Sequence, residues 1–293
     1  MKPPPFEYVA VASADEAVAE LEAHGDDAKL LAGGQSLMPI LNMRLAAPKH
    51  LVDINRVAEL DYLTVDPAGV RVGALARHAR VERDKEAFRV LPLLHETLRL
   101  VAHPVIRNRG TVVGSLVHAD PAGELTAVLA LLGGSVVLRR YGGIERTVIA
   151  ADFFRGPLES DLQAGELAVE AVFPVPAGRT GLAVKELARR HGDYAMCGLA
   201  ITVGLDGGDE ISQVRAAYFA VGGTPIVLDL TEALAGSSVD RADWPAAGRF
   251  ARERVGTEDD LHATAEYRGH LVDVLTARAA RTAARRAKGV QAA

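Results

Sequence analysis

Two consecutive glycines, Gly33 and Gly34, connect a short strand pattern at 29–31 to an apolar helical pattern that starts near Ser36. Glycines carry no Cβ atom, so the backbone amides of such a segment can close around an anion, and a following helix adds free N–H groups. The helix dipole contributes only about 0.3–1 kcal/mol at an exposed site, so direct amide hydrogen bonds must provide most of the recognition. The segment fits a diphosphate. A turn without a ligand explains it as well, and it lacks the GxGxxG pattern of nicotinamide-binding proteins.

A second glycine segment, TVVGS at residues 111–115, reads as a glycine-rich loop. The hydroxyl groups of Thr111 and Ser115 can donate hydrogen bonds to phosphate oxygens, and Gly114 permits close approach of the backbone. A second phosphate-competent segment in the same half of the chain favours a dinucleotide site over two unrelated turns.

Two acidic residues follow this segment. Asp120 precedes a helix predicted to start near Ala122, so capping of that helix would account for an aspartate at this position without any ligand. Glu124 lies one turn into that helix, where its carboxylate can accept hydrogen bonds from ribose or ribityl hydroxyl groups.

The sequence predicts neither a metal site nor a catalytic residue. The histidines, His78 among them, have no metal-ligand spacing, and no HxxxH or CxxC pair is present. Ser36 and Ser115 lack a neighbouring base that would activate them as nucleophiles.

Composition limits the class of protein. The chain has 293 residues, 49% of them hydrophobic and 24% charged, which is typical of a soluble globular protein. A net charge of -5 offers no positive field for nucleic acid. The single cysteine, Cys197, cannot form an internal disulfide or hold an iron–sulfur cluster by itself. No signal peptide and no apolar run of membrane-spanning length is found, so we expect a cytoplasmic protein without a membrane span.

The order of elements predicts two domains and an α+β fold. Strand and helix patterns alternate up to PVPAG, a proline and glycine segment that we take as the boundary, which gives domains 1–177 and 178–293. The second half reads as consecutive strands of an antiparallel sheet, followed by helices that include a long one at 265–287.

Three segments together resemble a known family: AGGQSLMPILNMRL, HPVIRNRGTVVGSLVHADPAGELTAVL and LHATAEYRGHLVDVLTARA. They are similar, in order and separation, to the medium FAD-binding subunit of the carbon monoxide dehydrogenase and xanthine dehydrogenase family of molybdenum hydroxylases. The resemblance implies a split FAD-binding domain of the PCMH type, built from two α/β subdomains. A C-terminal domain with an antiparallel sheet plus helices follows it. Both glycine segments are then expected on the diphosphate of a non-covalently bound FAD.

The resemblance also implies a set of FAD-contacting positions. Lys185 would lie near the diphosphate or the flavin, and Tyr194 could cover a ring face; a surface lysine and a generic core tyrosine are the competing interpretations. The full set is Leu31, Ala32, Gly33, Gly34, Gln35, Ser36, Leu37, Met38, Val101, Thr111, Val112, Val113, Gly114, Ser115, Ala119, Asp120, Glu124, Leu167, Lys185, Asp193 and Tyr194.

Val113 departs from the family pattern, which usually has two glycines in the second segment. A β-branched residue would be strained there if the position required positive φ. If the position requires only space, the valine can pack away from FAD.

The family resemblance implies partners. A small subunit would carry [2Fe–2S] clusters and a large subunit the molybdenum cofactor, in a dimer of heterotrimers, and this chain would pass electrons from the clusters through FAD to an external acceptor. Two other functions stay open: a stand-alone FAD-dependent oxidase, and a non-catalytic assembly subunit, which only Val113 favours. The organic substrate and the electron acceptor are not specified by the sequence.

Overall fold

A computed structural model of the chain describes residues 2–289. The first subdomain is a three-stranded parallel sheet with strand order β1-β3-β2. Helices connect its strands, as parallel pairing requires. Its elements are β1 (Glu7–Ala10), α1 (Ala14–His24), β2 (Ala28–Leu31), α2 (Leu37–Asn42) and β3 (His50–Asp53).

The second subdomain contains a five-stranded antiparallel sheet with strand order β4-β5-β10-β6-β7. Its strands are β4 (Leu63–Asp66), β5 (Gly69–Gly73), β6 (Ser135–Arg139), β7 (Glu145–Ile149) and β10 (Leu167–Pro174). A two-stranded hairpin precedes β10 and consists of β8 (Phe154–Gly156) and β9 (Glu159–Ser160).

Seven short helices cover this second sheet within the described residues. Pro92 lies in the first turn of the third of them, where its missing N–H would have no helical partner anyway. The helices are α3 (His78–Arg83), α4 (Lys85–Val90), α5 (Pro92–Leu100), α6 (Pro104–Arg107), α7 (Val112–His118), α8 (Glu124–Leu132) and α9 (Ala150–Phe153).

The C-terminal part is an antiparallel sheet followed by helices, which confirms the predicted α+β arrangement. Its four strands pair in sequence order. They are β11 (Arg179–Ala188), β12 (Ala195–Leu205), β13 (Ile211–Phe219) and β14 (Ile226–Asp229), and the helices are α10 (Thr231–Leu234), α11 (Trp244–Arg252) and α12 (Ala265–Ala287). The Thr264 hydroxyl caps α12 by accepting the N–H of Tyr267 at 3.2 Å.

Both faces of the C-terminal sheet are buried. Val184 and Phe219 pack into the core that the sheet shares with the N-terminal half, while Ala183 and Cys197 pack on the other face against α11 and α12. The segment near residue 177 therefore joins two halves that share one apolar core. The boundary itself stays a prediction. Within residues 2–289, no helix is both long and apolar enough to cross a membrane.

Candidate cofactor-binding site

The two glycine segments lie in direct contact. A Cβ atom on Gly33 would come within 2.8 Å of the Cα of Gly110 and would also meet the carbonyl oxygen of Arg109. Since that oxygen belongs to the backbone, no rotamer change could relieve the contact. Glycine at position 33 is therefore required by the close approach of the two segments.

The first segment presents a run of free amides. Among residues 2–289, no acceptor is hydrogen-bonded to the main-chain N–H groups of Gly33, Gly34, Gln35 and Ser36. The positive φ of Gly34, 72°, turns the chain at this point. Buried or half-buried N–H groups without hydrogen-bond partners cost folding free energy. A run of four such groups therefore indicates a site where an anion can accept their hydrogen bonds.

The second segment differs from the predicted loop. Residues from Val112 onward form α7, because Thr111 caps this helix by accepting the N–H of Gly114 at 3.1 Å. A Cβ atom at position 114 would lie only 2.6 Å from the capping oxygen, so the glycine makes room for the cap. The next helix, α8, starts at Glu124 rather than near Ala122. Asp120 therefore does not cap this helix; its carboxylate accepts the N–H of Ala122 in the preceding turn.

Val113 lies inside α7 and is not strained. Its φ is not positive, and its side chain is 2% exposed within the core of the N-terminal half. The structure therefore excludes strain from a positive φ at position 113. The position accepts a side chain because that side chain packs inward.

Both segments line one cavity of about 570 Å³, a volume in the usual range of ligand sites. The wall opposite the glycines is formed by the turn 162–166 and the start of β10. The predicted residues that line the cavity are Ala32, Gly33, Gly34, Gln35, Ser36, Leu37, Thr111, Val113, Gly114, Ser115 and Leu167.

Arg77 connects the two segments. Its guanidinium donates to the carbonyl oxygen of Arg109 and to the side-chain oxygen of Asn55. Asn55 in turn donates to the carbonyl oxygen of Ala32 at 2.9 Å. Arg77 thus contacts the backbone beside the second segment directly and the backbone beside the first segment through Asn55. Sequence reasoning did not find either residue, since neither lies in a recognisable motif.

A group of acidic side chains forms where the two halves meet. Burial, with the charges of Glu186 and Asp120, raises the pKa of Glu124 to about 8. Burial raises the pKa of Glu186 to about 7, and one of its carboxyl oxygens has no hydrogen-bond partner among the described residues. Desolvation, followed by the charges of Asp120 and Glu124, raises the pKa of Tyr194. The structure therefore brings Asp120, Glu124 and Tyr194 together and adds Glu186.

Lys185 lies elsewhere. Successive side chains of a strand point to opposite faces. Leu182 and Val184 face the N-terminal half, whereas Ala183 and Leu187 face α11 and α12. Lys185 shares the second face and is exposed, so its proposed flavin contact stays a prediction that its position does not support.

The remaining predicted residues flank these two groups. Tyr194, 69% exposed, and Asp120 border a second cleft of about 400 Å³ against the segment 220–223. Ala119 ends α7 in the left-handed conformation, and its carbonyl oxygen accepts the N–H of Leu158 at 3.0 Å. The others are Leu31 at the end of β2, Met38 in α2, Val101 after α5, Val112 in α7 and the exposed Asp193.

Within residues 2–289, no group of three or more His, Cys, Asp or Glu side chains is arranged to hold a metal ion. Cys197 is a free, buried thiol.

Comparison with known proteins identifies the family. Residues 4–176 match the model of the FAD-binding domain in molybdopterin dehydrogenase, and residues 182–283 match that of the CO dehydrogenase flavoprotein C-terminal domain. The chain is an FAD-binding medium subunit of the molybdenum hydroxylase family. The resemblance drawn from the sequence is confirmed.

This medium subunit is similar to curated relatives over nearly its whole length. It is 40% identical to caffeine dehydrogenase subunit beta of Pseudomonas sp. (strain CBB1), covering 98% of this chain and 97% of the relative. It is 36% identical to the carbon monoxide dehydrogenase medium chain of Hydrogenophaga pseudoflava, covering 95% and 97%. Among solved structures, it matches quinoline 2-oxidoreductase from Pseudomonas putida 86 with a TM-score of 0.91, 35% identity and coverage of 98% and 99%.

Proposed function

We propose that this medium subunit holds one FAD non-covalently, with the diphosphate between the two glycine segments, and transfers electrons from [2Fe–2S] clusters of a partner subunit to an external acceptor. The observation that supports this proposal most directly is the run of four free amides from Gly33 to Ser36, which faces the cavity shared with the second segment.

The chain's own groups fit a dianionic ligand. Hydrogen bonds from neutral donors to a charged acceptor are about twice as strong as neutral pairs, so the four amides suit a diphosphate. The Thr111 oxygen already accepts the Gly114 amide, which leaves the Thr111 hydroxyl proton free to donate into the cavity. Helices α2 and α7 have only six and seven residues, so direct hydrogen bonds matter more here than helix dipoles.

The acidic group suits the sugar-like part of the ligand. At neutral pH a carboxyl group with a pKa near 8 holds its proton, so Glu124 can both donate to and accept from ribityl hydroxyl groups. Tyr194 lies near Asp120 and Glu124, and we propose that its ring covers a face of the flavin. FAD, when bound, supplies a redox centre that exchanges electrons with clusters on one side and an acceptor on the other.

The cysteine count fits the proposed partners. A [2Fe–2S] cluster of this kind needs four cysteine ligands, and the chain has one. The clusters must therefore lie on another polypeptide, which we place on a small subunit beside a large molybdenum subunit, in a dimer of heterotrimers. Relatives matched over 97% of their length carry names of subunits or chains of larger enzymes, which favours this assembly over a stand-alone oxidase.

The assembly-subunit alternative loses its support. It depended on Val113 distorting the second segment, and Val113 is an unstrained helical residue in the core. No other described feature of the two segments argues against ligand binding.

Native purification of the full-length chain tests the proposal. We expect a yellow protein that releases about one FAD per chain on denaturation, and co-purifying small and large subunits identified by mass spectrometry. Dithionite should bleach the flavin of the isolated chain, while organic substrates should bleach it only when the partner subunits are present. A colourless chain that binds no added FAD would contradict cofactor binding, and bleaching by an organic substrate without partners would contradict the subunit function.

A further inference from the structure

His78, the first residue of α3, is buried beneath the second glycine segment. Its side chain is 3% exposed, and its ring lies against the main chain of Gly110. Its Nε2 atom is 3.0 Å from the Oγ atom of Ser115, which lies in α7 and lines the cavity. Its Nδ1 atom has no hydrogen-bond partner among the described residues.

The surroundings keep this ring neutral. Burial lowers the pKa of His78 to about 4, and the nearby charges of Arg107 and Arg77 act in the same direction, while the Thr111 backbone acts against them. At neutral pH the ring therefore carries one proton, on either Nδ1 or Nε2.

The hydrogen-bond pattern selects between the two tautomers. Nδ1 lacks a partner in either tautomer, but proteins avoid a buried N–H without an acceptor more strictly than a buried acceptor without a donor, so the proton is expected on Nε2. A proton on Nε2 has an acceptor available, because Ser115 Oγ lies 3.0 Å away. Since the serine oxygen then accepts from His78, the serine's own proton is free to point toward the cavity.

We propose that His78 is a positioning residue for cofactor binding: its Nε2–H donates to Ser115 Oγ and so makes the Ser115 hydroxyl a donor toward the FAD diphosphate. The opposite tautomer would draw the serine proton toward the histidine and turn a lone pair toward the phosphate. This inference rests on the proposed FAD site. It explains why the Ser115 hydroxyl proton would point toward the cavity, which the serine side chain does not determine by itself.

A double-mutant cycle on the full-length chain tests the coupling, with FAD dissociation constants measured by quenching of flavin fluorescence. The side chain of Ser115→Ala cannot donate, and we expect binding about tenfold weaker, the size of one hydrogen bond to a charged group. His78→Asn places its amide near Nδ1 and loses the donor at Nε2, so we expect a loss of about five- to tenfold. The double variant should bind no more weakly than Ser115→Ala alone. His78→Gln reaches the Nε2 position with an amide donor and should stay within about threefold of the unsubstituted chain.

A second measurement separates positioning from a general structural role. Nitrogen NMR of the FAD-free chain labelled at histidine, with His78→Asn used to assign the signal, should show a neutral ring protonated at Nε2. Additive losses in the double variant, equal losses in His78→Gln and His78→Asn, or a ring protonated at Nδ1 would each overturn the proposal. Failure of the unsubstituted chain to bind FAD would instead overturn the proposed function. In that case the NMR measurement of the tautomer would still test whether His78 Nε2–H donates to Ser115.

Discussion

Gly33 and Gly110 pack backbone against backbone, with 2.8 Å between the Cα of Gly110 and the place where a Cβ of residue 33 would lie. No side chain separates the two segments predicted to hold the diphosphate. Their spacing is therefore set by main-chain contact and leaves a fixed gap for a ligand.

Replacement of Gly33 by alanine should open this contact. The new methyl group would meet the Arg109 carbonyl oxygen, so the segments must separate, and we expect FAD binding at least tenfold weaker and a loss of about 1–3 kcal/mol in the free energy of unfolding. Gly207→Ala is the control, because a Cβ there meets no atom within 4 Å. Flavin fluorescence titration and urea denaturation provide the measurements. Unchanged FAD affinity in Gly33→Ala would show that the contact does not shape the site.

Replacement of Arg77 by lysine should weaken the connection between the segments. An ammonium group cannot reproduce the planar two-sided donation to Arg109 and Asn55. We expect FAD affinity to fall about five- to tenfold, with the secondary structure of the FAD-free chain retained. Arg80→Lys, in the adjoining helix α3 and paired with the exposed Asp61, should leave the affinity unchanged, with both variants measured by isothermal titration calorimetry. Equal affinities for the two variants would speak against the Arg77 connection.

The acidic group should make the FAD-free chain less stable as pH rises above neutral. Glu124 and Glu186 have pKa values near 8 and 7 when folded, against about 4.3 when unfolded, so the folded chain holds protons that the unfolded chain has released. The free energy of unfolding should fall by about 1–2 kcal/mol between pH 6.5 and 8.5, after allowance for solvent screening. His78 acts in the opposite direction only below pH 6.5, since its pKa is lowered.

Urea denaturation across this pH range measures the effect. Glu124→Gln and Glu186→Gln should each flatten the curve, because the amide cannot titrate. A curve for the unsubstituted chain that is already flat above pH 6.5 would mean that these carboxyl groups are charged in the folded protein.

Restoring the usual glycine at position 113 should cost stability without improving cofactor binding. Val113→Gly removes a fully buried side chain and adds a flexible residue to α7, so we expect a loss of about 2–4 kcal/mol. FAD affinity, measured on the folded variant, should stay the same or decrease. Val105→Gly, in α6 with an exposed side chain, provides the control for the glycine effect alone. Tighter FAD binding in Val113→Gly would show that the valine distorts the site.

The sequence predicted the long elements well because their patterns are local. The last helix, predicted at 265–287, has these bounds in the structure. The second glycine segment was misread because one glycine suggested a loop, whereas the Thr111 cap and the apolar residues around Gly114 produce a helix. A helix of seven residues is too short for its apolar periodicity to be recognised in the sequence. The hydrogen bond from Gly114 to Thr111 that caps it is seen only in the structure.

The site was predictable only where it follows a motif. Arg77 and Asn55 reach the glycine segments through contacts between residues distant in sequence, which no spacing rule reports. Glu186 did leave a signal: it shares the alternation of Leu182 and Val184, the apolar face of β11, while Lys185 points to the other face. Strand periodicity alone favours Glu186 over Lys185 on this face.

The central strand of the five-stranded sheet, β10, is also the last of its strands to be synthesised. Until residue 174 has left the ribosome, β5 and β6 have no common partner, and the wall of the cavity that includes Leu167 does not exist. The sheet of the second subdomain therefore stays incomplete from the synthesis of β4 to that of β10, a delay typical of folds with many long-range contacts. Cofactor loading should therefore wait until β10 has emerged, and fragments that end before β10 should not be rescued by FAD.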